Sequence, residues 1–337
     1  MSKNGTVLLA HGGGGTLMAD LIQSVFRSRF CDPILNAADD AAVLEGLNER
    51  LAFTTDAFVV TPIFFPGGDI GKLAVCGTVN DLAAQGARPL FLSAAFVLEE
   101  GLPLEELEKV ADSMAETARS AGVRIVAGDT KVVPRGKADK LFIATTGVGR
   151  IIDGISVSGS GVRPGDILIL SGAIGDHGVA VMLAREELSL SAAVQSDCAP
   201  LADLVASLQF AGADLHAMRD PTRGGLAAAA NELARQSQVA LELWETSIPV
   251  HGSVHVACEL LGLDPIYVAN EGKMLIAVAP ESADSVLGAL KKHPLGAEAA
   301  VIGRALDGPP GRVFLKTAAG TTRILDMPPG EQLPRIC

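Results

Sequence analysis

Lys72-Leu73-Ala74-Val75-Cys76-Gly77-Thr78-Val79-Asn80-Asp81-Leu82-Ala83-Ala84-Gln85 carries apolar residues at 73, 75, 79, 82 and 83, the spacing of a helix. Pro89 to Val97 follows and reads as a buried strand. A helix between apolar strands points to a mixed α/β fold. Upstream, Phe53-Thr54-Thr55-Asp56 leads into Ala57-Phe58-Val59-Val60, a strand-like run, and Pro62 to Gly68 is a loop. Downstream, Leu104 to Ala121 has the pattern of an amphipathic helix, and Val123 to Ala127 and Leu141 to Val148 read as strands.

A turn at Arg163-Pro164-Gly165-Asp166 opens a second α/β series with the strand Ile167 to Ser171. Leu201 to Leu208, Gly225 to Gln236 and Ser253 to Leu261 look helical; Leu275 to Val278 and Ala300 to Ile302 look like strands. The expectation is two mixed α/β domains, 1–155 and 156–325, and a flexible tail, 326–337. A chain of 337 residues is long enough for two domains, and its 48% hydrophobic residues supply a sizeable core. Aromatics are only 4%, so Ala, Val, Leu and Ile must fill that core.

Net charge is −12 and no Lys/Arg cluster tracks a phosphate backbone, which argues against a nucleic-acid partner. No apolar run approaches the ~18–20 residues of a membrane span. The apolar stretch after Met1-Ser2-Lys3-Asn4-Gly5 is only Val7 to Ala10, too short for a signal peptide. Cysteines 31, 76, 198, 258 and 337 form no C-x-x-C pair, which suggests free thiols in a reducing cytoplasm.

The last of these, Cys337, ends Asp326-Met327-Pro328-Pro329-Gly330-Glu331-Gln332-Leu333-Pro334-Arg335-Ile336-Cys337. Its prolines and glycine keep the stretch out of helix and central strand. Fully extended, such a segment reaches roughly 40 Å at ~3.3–3.6 Å per residue. That is enough to carry a sulfur from the surface into a cleft. The alternative is a frayed end that finishes on Cys by chance.

Familiar nucleotide and metal motifs fail. Gly67-Gly68-Asp69-Ile70-Gly71-Lys72 resembles a P-loop, but Pro66 stands where the first Gly belongs and Leu73 follows the Lys. No G-x-G-x-x-G follows a strand. His251 and His255 are four apart, but Gly252 replaces the Glu of the zinc-protease pattern, so they read as ordinary helix residues. What remains is a set of carboxylates beside small residues: Asp39-Asp40-Ala41-Ala42-Val43, Thr55-Asp56, Asn80-Asp81 and Gly128-Asp129-Thr130. Small neighbours let a bulky anion and its metal approach, and Mg²⁺ prefers a few carboxylates plus waters and phosphate oxygens. Any one such Asp could serve only a turn; the group suits a magnesium–nucleotide site. In the second half, Asn270-Glu271-Gly272-Lys273 follows the strand-like Ile266 to Ala269. A carboxylate beside a glycine can approach a substrate closely, which makes Glu271 a candidate base. Lys131 is the candidate to stabilise negative charge or the carboxylate itself.

The motifs Asp39-Asp40-Ala41-Ala42-Val43, Thr54-Thr55-Asp56-Ala57-Phe58-Val59-Val60, Asn80-Asp81-Leu82-Ala83, Ala127-Gly128-Asp129-Thr130-Lys131-Val132 and Arg219-Asp220-Pro221-Thr222-Arg223-Gly224-Gly225 resemble the aminoimidazole ribonucleotide synthetase (PurM-like) superfamily. The terminal Pro334-Arg335-Ile336-Cys337 narrows the resemblance to its HypE family of hydrogenase maturation factors, and His11-Gly12-Gly13-Gly14-Gly15 matches that family's glycine-rich start. The resemblance covers essentially the whole chain.

The resemblance implies an ATP-dependent carbamoyl dehydratase. Such proteins convert a carbamoylated C-terminal Cys, here Cys337, from thiocarboxamide to thiocyanate, with ATP going to ADP and phosphate. The cyanide then passes to the iron of a [NiFe] hydrogenase. It implies ATP and Mg²⁺ as cofactors, with Asp39, Asp56 and Asp81 on the metal. Asp40, Asp129 and the backbone of Gly12, Gly13, Gly14 and Gly15 would help hold the nucleotide. Glu271 and Lys131 match family positions proposed for the dehydration step. The carbamoyltransferase HypF, an iron-carrying HypC–HypD complex and a second copy in a homodimer are the implied partners, with residues 1–155 forming the ATP-binding and dimerisation domain. Two other readings stay open at this point. One is a carrier that merely presents a modified Cys. The other is a different superfamily enzyme, such as a selenophosphate synthetase or thiamine monophosphate kinase. Neither relative calls for a terminal Cys.

Overall fold

The computed structural model describes residues 6–8, 21–31, 49–185, 194–327 and 335–337. The first half is a four-stranded sheet with two helices on one face. Its elements are β1 (Leu51–Phe58), a small hairpin of β2 (Phe64–Phe65) and β3 (Gly68–Asp69), α1 (Ile70–Ala84), β4 (Ala87–Glu99), α2 (Leu104–Ser120), β5 (Arg124–Val133) and β6 (Leu141–Ile151). The strand order is β1-β6-β4-β5, with only the β4–β5 pair parallel.

Along β1, exposed residues alternate with half-buried ones, because α1 covers only one face. Thr54 and Asp56 therefore share the inner face. α1 is buried nearly all round; only Lys72 and Asp81 among its residues are not. It starts two residues before the periodic pattern predicts, because the Asp69 carboxylate accepts from the N–H groups of Gly71 (2.7 Å) and Lys72 (3.2 Å). Gly71 lets α1 and α2 cross closely: a Cβ there would run into the Val110 carbonyl and the Met114 side chain.

The second half comprises β7 (Ile167–Leu170), α3 (Asp176–Arg185), α4 (Ala202–Leu208), β8 (Leu215–Arg219), α5 (Gly225–Ser237), β9 (Ala240–Trp244), α6 (Gly252–Leu261), β10 (Leu275–Val278), α7 (Ala283–Lys292), β11 (Ala300–Leu306), β12 (Arg312–Lys316) and β13 (Thr322–Ile324). Its sheet runs β13-β12-β9-β11-β7-β10-β8 and is antiparallel except where β12 lies beside β9. One buried cluster packs α5 against a face of this sheet, and another packs α4 and α7 against the opposite face. β7 and β10 are therefore covered on both sides and read as unbroken apolar runs.

The cores are continuous across the halves. The cluster built on α1, β4 and α2 extends into α3 and α6, and the α4 cluster takes in Ala83 and Ala84 from the end of α1. The end of the tail joins the first cluster: Ile336 is 1% exposed, and Cys337 packs against the same cluster. A tail expected to be flexible thus has a docked end.

Candidate active site

Two of the sequence-selected carboxylates meet where the halves join. Asp56 projects from β1 and Asp81 from the last turn of α1; the Thr54 hydroxyl, also on β1, donates to Asp81 at 2.7 Å. Facing them is the segment after β8, with Asp220, Thr222 and Arg223. Together they line a cleft of about 710 Å³ that also touches Arg219 and Glu232. A smaller hollow of about 50 Å³ adjoins it, lined by Phe58, Gly77, Glu271 and Cys337. Asp56, Asp81, Asp220, Thr222 and Arg223 line both spaces. The sulfur of Cys337 therefore sits one shell of side chains from the cleft.

The electrostatics of this junction are dominated by crowded carboxylates. Burial, then the neighbouring Asp81 charge, pushes Asp56 up to about 6. Burial and the same Asp81 charge push Asp220 up to about 7. Glu271 is 3% exposed, and burial holds its carboxyl well above the usual range, with Cys198, Asp220, Asp197 and Asp56 adding to the effect. Burial also pushes the Cys337 thiol up, followed by the charge of Glu271; the Arg223 guanidinium pulls the other way. Like charges at this spacing favour a cation among them.

Glu271 is held by its backbone. Its carbonyl accepts from the Asn80 amide (3.1 Å) and from the N–H of Ala199 (3.3 Å). The Asp197 carboxylate accepts from the N–H groups of Glu271 (3.1 Å) and Gly272 (3.2 Å) and pairs with Lys273 at 3.3 Å. Gly272 has no room for a side chain against the Asp197 carbonyl. Asn80, one residue before Asp81, also accepts from the N–H of Leu201 (2.8 Å). One α1 side chain therefore ties the helix turn that carries Asp81 to the Glu271 loop.

The other sequence candidates fall elsewhere. Asp129 and Lys131 pair with each other at 3.1 Å on β5, both well exposed, and neither lines the cleft or the hollow. Asp39, Asp40, Gly12, Gly13, Gly14 and Gly15 lie outside the described residues. Lys72, in the failed P-loop, donates to the Gly67 carbonyl of its own loop at 2.9 Å. His251 precedes α6 and bonds Asp176 at 3.0 Å and Glu298 at 3.1 Å. All five cysteines are free. Among the described residues no group of three or more His, Cys, Asp or Glu side chains is arranged to hold a metal by itself.

Sequence reasoning gave Asp220, Arg223, His177 and Asp197 no role. The motif Arg219 to Gly225 was the available signal for the first two. Its Gly225 adopts φ +61° and packs against the carbonyls of Ile266 and Val268, which brings this loop against the segment leading to Glu271. That segment is a 3-10 turn at Pro265–Tyr267, not the strand its sequence suggests, because Pro265 and the Asp264 cap close it into a turn. For His177 and Asp197, isolated residues in the second half, no signal existed.

Models of AIR synthase related proteins match this chain in both halves, the N-terminal domain over residues 38–151 and the C-terminal domain over 163–316. A carbamoyl dehydratase HypE from Rhizobium leguminosarum bv. viciae is 52% identical over 335 residues, covering 99% of this chain and 96% of that protein. A crystal structure of hydrogenase maturation protein HypE in complex with ATP superposes with a TM-score of 0.95 at 49% identity, covering 98% of this chain and all of that one. A HypE–HypF complex structure matches with a TM-score of 0.80 at 47% identity, covering 93% and 100% of the two chains. This chain belongs to the HypE family of hydrogenase maturation proteins, built from the two AIR-synthase-related domains.

Proposed function

We propose that the protein dehydrates its own carbamoylated Cys337 to a thiocyanate at the expense of ATP, supplying the cyanide ligand of [NiFe] hydrogenase. The observation that carries this reading is the shared wall. Cys337 lies in a hollow whose Asp56, Asp81, Asp220, Thr222 and Arg223 also line a cleft of nucleotide size. The reaction balances as R–S–C(=O)NH₂ + ATP → R–S–C≡N + ADP + phosphate + H⁺. The thiocarboxamide oxygen leaves on the phosphoryl group, and the nitrogen gives up two protons, one carried away on phosphate.

Asp56, Asp81 and Asp220 fit a divalent cation, because the raised carboxyls of Asp56 and Asp220 mark crowded negative charge that Arg223 and Arg219 offset only in part. Mg²⁺ would take two or three of these oxygens and complete its shell with water and phosphate. When bound, Mg²⁺ neutralises phosphate charge and orients the nucleotide. Arg223, on both walls and near enough for its charge to act on the Cys337 thiol, would stabilise negative charge on the carbamoyl oxygen. Glu271 is the base for the amide nitrogen: burial makes its ionised form strongly proton-seeking, and its pinned backbone fixes the direction of attack. The Ile336 side chain seats in the apolar core, which holds Cys337 against the hollow. Lys131 keeps its place as a stabiliser of negative charge only if it leaves Asp129.

HypF is the proposed source of the carbamoyl group, supported by the HypE–HypF complex. A HypC–HypD complex is the proposed acceptor of the cyanide. A homodimer through the open face of the first sheet would cover Leu51 (48% exposed) and Phe53 (72%). Among the described residues no helix is long and apolar enough to cross a membrane. The test of the reading is mass spectrometry of the carbamoylated tail peptide with and without Mg-ATP. Loss of one water that needs both ATP and Cys337 is expected. An unchanged tail with ATP consumed, or no change at all, refutes the dehydratase reading.

A further inference from the structure

We propose that His177 is the positioning residue that docks the reactive tail, reading its backbone at Ile336 and so setting how often Cys337 is inside. The proposal rests on Cys337 being the sulfur that is loaded outside and processed inside.

The ring of His177 is wholly buried on α3. Its Nε2 lies 2.8 Å from the Ile336 carbonyl oxygen, and its Nδ1 lies 2.8 Å from the Ser196 hydroxyl. A carbonyl only accepts, so Nε2 carries the proton and Nδ1 accepts from Ser196. The Ser196 oxygen in turn accepts from the N–H of Cys198 at 3.1 Å. The chain of donors thus runs in one direction, from Cys198 through Ser196 and His177 to the tail. Phe65 meets the imidazole edge-on at 5.4 Å between ring centres. Burial holds the imidazole below its ordinary range, and Asp197 is the charge that opposes this.

A second contact holds the residue before. The Arg335 carbonyl accepts from the Thr61 N–H (3.2 Å) and from Arg185 Nη2 (2.8 Å), while Arg185 Nε donates to the Thr61 carbonyl at 3.0 Å. The Arg335 side chain pairs with Asp139 at 2.8 Å on the outside. Among the described tail residues the grip is on two successive carbonyls, with the Ile336 side chain held by shape. The grip is also linked to the chemistry. Ser196 braces His177, and the next residue, Asp197, holds the backbone of Glu271 and Gly272. A docked tail and an aligned Glu271 share one three-residue support.

The test is alkylation of Cys337 by iodoacetamide in the full-length, uncarbamoylated protein, mapped by peptide mass spectrometry. Exposed Cys31 serves as the reference for reagent, and buried Cys258 as the reference for folding. His177→Phe keeps the ring and removes the donor, leaving the Ile336 carbonyl buried without a partner when the tail is inside. Labelling of Cys337 is expected to rise roughly 5- to 150-fold over wild type, with Cys258 still protected. His177→Gln places an amide N–H near the old Nε2 position and should restore protection. His177→Asn stops one methylene short and should not, which keeps the test alive should the Phe variant misfold. In carbamoylated protein, single-turnover dehydration should fall in the same order while ATP binding holds. Wild-type labelling of Cys337 in both the Phe and the Asn variants, or equal gains at Cys337 and Cys258, overturns the proposal. If the labelling order holds but wild type makes no thiocyanate, docking by His177 stands and the dehydratase reading falls.

Discussion

Asp220→Asn should stabilise the protein without nucleotide and disable it with nucleotide. The Asp220 carboxyl is half-buried after β8, and burial and the Asp81 charge raise it from 3.8 to about 7. Forcing it to ionise at pH 8 carries a penalty of up to about 4 kcal/mol at ~1.36 kcal/mol per pH unit. Partial solvation of a half-buried group brings this to roughly 1–2 kcal/mol. Asn removes the charge at nearly the same volume, so the melting temperature at pH 8 should rise by about 1–3 °C. The sign follows from linkage. A group whose folded pKa is raised favours folding below its unfolded value and loses that contribution as pH climbs through the folded value. The gap between variant and wild type should therefore be near zero below about pH 4, open between about pH 4 and 7, and level off by pH 8. Differential scanning calorimetry without Mg²⁺ and ATP reads the first effect. Adding Mg-ATP reads the second: wild type should gain stability, the variant much less, and turnover should fall by orders of magnitude. A pH-independent gap, or a variant that melts lower at pH 8, refutes the crowded-carboxylate argument. Undiminished turnover removes Asp220 from the site.

Asp81→Asn takes away the charge that raises both Asp56 and Asp220, so it should weaken Mg-ATP binding and cut turnover by orders of magnitude; isothermal calorimetry showing wild-type affinity would exclude Asp81 from metal binding. Cys337→Ala should abolish carbamoylation and thiocyanate formation while leaving ATP binding intact, and a modified tail or another modified Cys in that variant would contradict the assignment of the sulfur. Glu271→Gln should bind ATP and the carbamoylated tail but lose ~10²–10⁴-fold in single-turnover dehydration, with wild-type release of thiocyanate the contrary result. Lys131→Ala separates two accounts of that lysine. A loss matching Glu271→Gln, not worsened in the double variant, keeps it in the chemistry; wild-type rates leave it as the exposed partner of Asp129.

How far the fold could be read depended on how each element is buried. α2 has a single buried stripe, and its reading as Leu104 to Ala121 differs from the observed helix by one residue. α1 is buried on nearly every side, so its start was set by the Asp69 cap, a signal that lies before the periodic stretch. In the second half, β8, β9, β12 and β13 are three to five residues long, and outside the β12–β13 hairpin their partners are distant in sequence. β13 is exposed throughout, so no alternation marks it. α3 carries Val179 and Val181 in a buried stretch and opens after Gly175 at φ +93°, which hides a helix behind β-branched residues. α7 has a clear apolar face and ends on Lys291 and Lys292, and its signals were present to be read.

The candidate site was legible where single residues announce themselves and silent where packing decides. Asp56 and Asp81 stand beside small residues in strand and helix, and both line the cleft. Asp129 stands in similar company and does not, because it faces out from β5 toward Lys131. Local composition cannot tell these apart; the side of the sheet that α1 covers does. Nor can composition say that Glu271, behind a glycine-bearing turn, is buried. That follows from Asn80 and Asp197, which close on its backbone from two directions across the join between the halves. The same burial raises the Cys337 thiol and the carboxyls around it. The burial that holds Glu271 protonated also makes Asp56 and Asp220 resist ionising until positive charge arrives. The arrangement therefore makes a bound cation and a docked tail mutually favourable, since each supplies what the other's surroundings lack: charge for the carboxylates, and apolar cover for the hollow.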